Sequence, residues 1–344
     1  MNACNALARE TGEARPGSSR RPASPVQGAG GARTQRGSAL LLAMTILALV
    51  ASLASAMVWQ QERAIRVEAA ERARAQAGWI LAGAIDWARL LLREDKRSSG
   101  VDHLGEPWAV PLAEARLSSF LAADRDPTAE DLPEVFLSGA IEDLQSRFNV
   151  AALVGEQGEA DPAQVAALQR LADLAGAPGD TAQRIADGLV AALAGDGPDA
   201  PLPPQRFEQL AWLGLDRTTL DRLAPYATLL PQATPVNVNT AAREVLVAAI
   251  DGLDLGSAER IVQRRANQPL RNLQELAAEL PQGVQAEEAR VAVGSSFFAV
   301  RARLRMDERV LEQLAIVERQ GGGRGREVRV LWAERRSALD GATP

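Results

Sequence analysis

The 344-residue chain has one cysteine, Cys4, and one histidine, His103. A disulfide within the chain and zinc sites built from cysteine and histidine are therefore excluded by count. Cys/His or Ser/His/Asp catalysis would have to rest on His103 alone. That residue lies in the polar, turn-like stretch Gly100-Val101-Asp102-His103-Leu104-Gly105 and reads as a solvated loop histidine, so no enzymatic activity is expected. Aromatic residues make up only 4% of the chain. Alanine, leucine and arginine dominate instead, a composition that leans helical and gives isolated arginines little diagnostic weight. Negative charge prevails in the body. The net charge is -6, yet six arginines stand against Glu10 and Glu13 before Gly37, leaving about +4 there and about -10 beyond. An acidic body is a poor nonspecific partner for nucleic acid, whose affinity comes mainly from Lys/Arg neutralisation of phosphates.

Charge is absent altogether from Gly37 to Gln61. Ser38 to Trp59 holds about 22 residues, enough for a helix of roughly 30 Å that spans a bilayer. Arg33 and Arg36 before it place the N-terminus in the cytoplasm, and Trp59 falls at the far interface. A cleavable secretory signal shares the plan of basic, apolar and small residues. Against it stand the length of the apolar run, small residues spread through it, and the helical pattern that continues beyond. The first 37 residues are rich in Gly, Pro, Ser and Arg, a disordered composition; either translation starts downstream of Met1 or the protein tolerates an extended tail.

No proline interrupts the chain from Ser38 to Arg97, so one helix of about 60 residues and roughly 90 Å is predicted. Past Glu62 the apolar positions Ile65, Ala69, Ala73, Ala77, Ile80, Ala84, Trp87 and Leu91 follow helical spacing. The stripe is small at first and bulky later. Ile65, Ala69, Ala73 and Ala77 read as contacts for a partner helix, and Trp79 to Leu92 as a core helix of the chain itself.

Strand-like pieces flank a long helical stretch. Residues 134–150 are β-compatible, with a turn expected at Ser138-Gly139; alternation returns over 295–306 and continues over 310–318 and 327–332, past the Gly321-Gly322-Gly323 break. Between them the patterns are almost wholly helical, which a helical insertion within a sheet-bearing domain explains. Within it, Val236-Asn237-Val238-Asn239-Thr240-Ala241 to Leu276 is similar to a helix-hairpin-helix unit that grips DNA backbone. Asn239 or Thr240 would cap the first helix, residues 251–256 make the hairpin, and Ala258 to Arg265 form the second helix. Asp251, Asp254 and Glu259 crowd the end a phosphate would occupy, which favours a structural role. A membrane-tethered DNA-uptake protein is the competing functional class.

Arg36-Gly37-Ser38-Ala39-Leu40-Leu41-Leu42 resembles a type IV prepilin processing site. The resemblance implies cleavage between Gly37 and Ser38 by a prepilin peptidase and N-methylation of Ser38; glycine would let an extended backbone enter a narrow catalytic groove. Ser38 stands where phenylalanine is usual, and Leu42 where glutamate is nearly universal. A buried glutamate needs a pairing partner, and a subunit placed first has no earlier neighbour to pair with. Lack of that glutamate, taken with Gly105-Glu106-Pro107-Trp108, the Gly139 to Asn149 segment, Thr234 to Ala241 and Ser295-Ser296-Phe297-Phe298 in that order, resembles the K-type minor pseudopilin of type II secretion. The resemblance covers nearly all of 37–335.

It implies an α+β fold in which a long N-terminal helix and a small antiparallel sheet, pilin-like, carry a large inserted all-helical domain. Its parts would be a cleaved leader at 1–37, a transmembrane segment at 38–60, a periplasmic helix at 61–98, a pilin-like α/β domain at 99–152 and 291–344, and the insertion at 153–290. It also implies a non-enzymatic filament-tip role in the inner membrane and periplasm. The implied partners are I-type and J-type minor pseudopilins, the prepilin peptidase and secreted substrate, with no nucleic acid. Calcium belongs to the family pattern, an oxygen-rich acidic segment suited to six-to-eight coordination. Here Asp187 matches, but Gly188, Val190 and Ala192 replace Trp, Asp and Asp, and only Asp196 and Asp199 remain nearby. No cofactor is therefore assigned from the sequence.

Overall fold

The computed structural model describes residues 36–117, 134–195, 201–306, 309–320 and 327–339. The chain divides into two units, 1–68 and 69–344. The expected leader up to residue 35, Asp196, Asp199 and the triple glycine at 321–323 lie outside the described residues.

In the first unit the described chain is the beginning of helix α1 (Arg36–Ser98). Side chains from 38 to 68 are all exposed, Leu40, Ile46, Leu53 and Met57 among them. An apolar helix surface with no protein partner is what a lipid-facing span requires. Thr45, a polar residue in this run, bonds its hydroxyl back to the carbonyls of Leu41 (3.0 Å) and Leu42 (2.8 Å).

The second unit holds the end of α1, which stops after Lys96 and Arg97, two cations that suit the negative end of a helix. Strands β1 (Leu112–Arg116) and β2 (Val135–Asp143) follow. After the inserted region come β7 (Phe297–Met306), β8 (Arg309–Arg319) and β9 (Val328–Leu339). They form one antiparallel sheet in the order β1-β2-β7-β8-β9. Because side chains alternate along a strand, Phe298, Val300, Ala302 and Leu304 of β7 pack on Ala77, Leu81, Ile85, Ala88 and Leu92 of α1. The other face of β7 sends Phe297 and Ala299 to Leu144, Leu230 and Ile316.

Two expectations are corrected here. Ser138-Gly139 is no turn: β2 runs straight through it, and Gly139 pairs with Ala302. A side chain at 139 would place its Cβ 2.8 Å from the Arg301 carbonyl oxygen, so the glycine marks close approach of two strands. The helix stripe is also out of phase by one position. Leu81, Ile85 and Leu92 reach the sheet, whereas Ile80, Ala84, Trp87 and Leu91 line a flanking apolar groove of about 640 Å³, and Trp79 is 79% exposed.

Most of the described segments between neighbouring strands β2 and β7 build a second core. It begins with β3 (Phe148–Asn149), α2 (Pro162–Leu174), α3 (Thr181–Ala194) and α4 (Arg217–Leu223). It continues with β4 (Ala227–Thr228), β5 (Val236–Asn237), α5 (Arg243–Ala249) and α6 (Leu255–Asn267), then α7 (Leu273–Glu279) and β6 (Val291–Ala292). Leu168, Leu171, Ile185, Leu246 and Ile261 are fully buried in this core. Each such side chain contributes about 1.5–3 kcal/mol by leaving water. Two short parallel pairings, β3 with β4 and β5 with β6, tie the first and last segments of the region to its middle.

Candidate functional site

In the first unit, Gly37 lies in the opening turn of α1. The bond to Ser38 lies on helical backbone. Leu42 is 63% exposed on the apolar surface, which holds no carboxylate at that position. At the other end of the apolar run, the Arg63 guanidinium stands 5.8 Å over the Trp59 ring. An amphipathic ring with a cation beside it suits the membrane–water boundary.

Of the four residues read as partner-helix contacts, Ile65 and Ala69 are exposed and Ala73 is half-buried. Ala77 is a correction: it is fully buried in the chain's own core against the sheet.

The second unit brings together segments that the sequence keeps far apart. Asp143 at the end of β2 is buried and accepts hydrogen bonds at Oδ2 from Thr240 Oγ1 (2.6 Å), Ser295 Oγ (2.7 Å) and Asn237 Nδ2 (3.0 Å). Its Oδ1 accepts from the Gln145 amide at 2.8 Å. Burial raises the Asp143 carboxyl above its ordinary value, and the Thr240 and Ser295 hydroxyls oppose that rise. Asn237, fully buried, also reaches the Asp102 carbonyl at 3.0 Å. Gln145 joins the two halves of the unit by donating to the Pro235 carbonyl (3.0 Å) and accepting from the Ser296 amide (2.6 Å). Asn149 donates to the Gln232 carbonyl (2.7 Å) and accepts from the Leu230 amide (3.1 Å).

Arg319, at the end of β8, completes this junction. It is buried, donates to Asp95 Oδ2 at 2.9 Å, to both oxygens of Asp102, and to the Ser295 carbonyl at 2.7 Å. Its guanidinium lies 4.8 Å over the Phe298 ring, which meets Trp108 edge-on at 5.3 Å. Glu106 accepts from Trp108 Nε1 (2.9 Å) and the His103 amide (2.9 Å). His103 is therefore half-buried in a tight turn, with Nδ1 accepting from Gly105 N at 3.1 Å, and is not the solvated histidine expected. The four sequence segments singled out above converge here, joined by Asp95, Asp102 and Arg319, which spacing alone did not indicate. Asp95, Asp102 and Glu106 bring one oxygen each to within 4.8 Å of one another, but Arg319 supplies the cation between the two aspartates.

The hairpin region is built differently from the DNA-gripping reading. The first helix starts at Arg243 with Ala242 as its cap; the Asn239 side chain instead holds Leu270 through N–H and C=O (2.8 and 2.9 Å), and Thr240 serves Asp143. Buried Arg265 donates to the carbonyls of Val238 and Ala241, and burial lowers its pKa to about 10. At the start of α6, the amide a phosphate would use is taken by Asp254, whose carboxylate accepts from Ser257 N (3.0 Å) and Oγ (2.6 Å). Those bonds hold the Asp254 carboxyl below its ordinary value. Asp251 pairs with Arg170 at 2.8 Å.

Among the described residues matched to the calcium pattern, one carboxylate is present. Asp187 accepts from Gln183 at 2.8 Å on α3, and a Cβ at Gly188 would lie 2.9 Å from Leu213 Cβ. The tryptophan of the pattern has no room there. Among the described residues of that segment Asp187 is the single carboxylate, far short of six-to-eight oxygens.

Comparison with known proteins bears on the same regions. Residues 146–232 and 236–294 each match a family described as type II secretion system (T2SS), protein K. Type II secretion system protein K of Pseudomonas aeruginosa is 28% identical over 331 residues, covering 87% of this chain and 92% of that protein. The Pectobacterium carotovorum protein of the same name is 28% identical over 335 residues, 84% of this chain and 97% of the relative. That of Klebsiella pneumoniae is 31% identical over 262 residues, 67% and 76%. A chain in the crystal structure of the GspK-GspI-GspJ complex from enterotoxigenic Escherichia coli shares the fold, with a TM-score of 0.60 and 20% identity over 78% of this chain and 99% of that one.

Proposed function

The chain belongs to the type II secretion system protein K family of minor pseudopilins, and from that premise we propose that it forms and caps the pseudopilus tip. In this reading a prepilin peptidase cuts between Gly37 and Ser38 and the new amine of Ser38 is methylated. The apolar part of α1 anchors the subunit in the inner membrane with its body in the periplasm. I-type and J-type minor pseudopilins join it along α1, where Ile65, Ala69 and Ala73 leave apolar surface uncovered. The capped filament then supports export of secreted substrate across the outer membrane. The composition of the related complex, GspK with GspI and GspJ, supports that choice of partners.

Leu42 carries the tip assignment. A subunit with glutamate here must find a neighbour's amine within lipid, because an unpaired carboxylate is costly there. With leucine the helix sits in lipid without any earlier subunit, as the first member of a filament must. The DNA-uptake alternative loses support at Asp254, which fills the amide site that a phosphate would use.

The N-terminus of the protein purified from membranes containing the peptidase tests this reading. Mass spectrometry is expected to find a chain beginning at methylated Ser38, and G37V is expected to accumulate uncut precursor. Cleavage among the small residues 51–56 would make the segment a secretory signal and end the proposal.

A further inference from the structure

The end of α1 enters a buried region where negative charge exceeds positive. Asp95 sits in the last turn, Asp102 and Glu106 in the loop that follows, and Asp143 at the end of β2; all four are buried. One buried guanidinium, Arg319, stands among them. The other ionisable groups nearby are Lys96, whose Nζ and the Asp102 carboxylate both lie within 4.0 Å of where a Cβ on Gly294 would be, and His103, 4.0 Å from Glu106. Asp143 is served by neutral donors from the inserted region and Glu106 by the Trp108 indole. Asp102 holds two bonds from Arg319 and one from the Ser295 amide at 2.7 Å. Asp95 has the weakest claim on the shared cation, through one bond of 2.9 Å.

Buried like charges near a single countercharge cannot all remain ionised cheaply. We propose that Asp95 is a proton-operated latch that ties the C-terminal turn of α1 to the sheet through Arg319. With the proton on, Asp95 is a neutral partner for Arg319, and the guanidinium is balanced by Asp102. With the proton off, Asp95 is repelled by Asp102 and Glu106, and the segment 95–106 is held less firmly to β8. Burial first, then the charges of Glu106 and Asp102, raises the Asp95 carboxyl to about 7 against the opposing pull of Arg319.

The sign follows from linkage. The closed segment binds the proton more tightly than the open one, so closure is favoured at low pH and weakens as pH rises toward 7. The opening constant should climb by up to about tenfold per pH unit between pH 5 and 7, then level off.

Hydrogen exchange of the full chain in detergent micelles, corrected for intrinsic rates, reads this directly. Peptides covering 95–106 are expected to lose protection over that range, while peptides covering 168–171 in the inserted core are not. D95N should remove the slope and keep the low-pH protection. E106Q should retain the slope and shift its upper limit to lower pH. A flat wild-type profile over 95–106, or an unchanged slope in D95N, overturns the proposal.

Discussion

At the scale of single residues, the junction depends on neutral donors that keep buried carboxylates satisfied. Asn237 is the tightest case, since its amide nitrogen lies within 3.0 Å of the Asp102 carbonyl, Asp143 Oδ2 and Ser295 Oγ. N237A leaves Asp143 short of a donor at a site that water does not reach. We expect it to lower unfolding free energy by about 2–3 kcal/mol in chemical denaturation, the cost of an unsatisfied buried group bonded to a charge. A loss below the resolution of the measurement would mean that Thr240 and Ser295 suffice. The residues of this site were only partly legible. The segments containing Gln145, Asn237, Thr240 and Ser295 stood out, but Arg319 was lost among arginines given little weight. Its position held a signal: on β8 it shares the face of Ala315 and Val317, so an arginine occupied core parity. Asp95 likewise follows Ala88 and Leu92 on the buried side of α1. A cation and an anion on two core faces are a contact that sequence periodicity can suggest and only folding can join.

At the scale of elements, periodicity locates α1, β7 and β8 well, but of β9 only the start, since the strand expected over 327–332 continues to Leu339. It erred where composition outweighed spacing. Bulk points to Trp87 as core, yet it is 57% exposed, because the shorter Ile85 and Ala88 face a sheet that passes close by. β1 escapes the pattern because its run Leu112–Arg116 is short and none of its five residues is β-branched or aromatic, the character that marks a strand. Gly139 was read as a turn signal, although its neighbours continue in β2. The same glycine gives an element-scale prediction. In G139A the new Cβ meets a carbonyl oxygen of β7 that the sheet register holds in place. The β2–β7 pairing must shift, and a loss of about 1–3 kcal/mol is expected, the usual range for overpacking a close contact. Thermal unfolding indistinguishable from the parent would show that the two strands can part at no cost.

At the scale of the whole molecule, the order of elements was readable because a helical stretch between strand-like ends has few compact solutions. That β2 and β7 are neighbours, with the entire second core issuing between them, follows from pairing that no local pattern encodes. The proposed place of this subunit is at a filament tip in company with I-type and J-type minor pseudopilins. Co-purification of the full chain with those two proteins from the same bacterium tests it most directly. The expected result is one complex containing all three, weakened when Ile65, Ala69 and Ala73 are replaced by glutamate and unaffected by surface changes on α4. Elution of this chain alone, with the I- and J-type proteins present and folded, would contradict it.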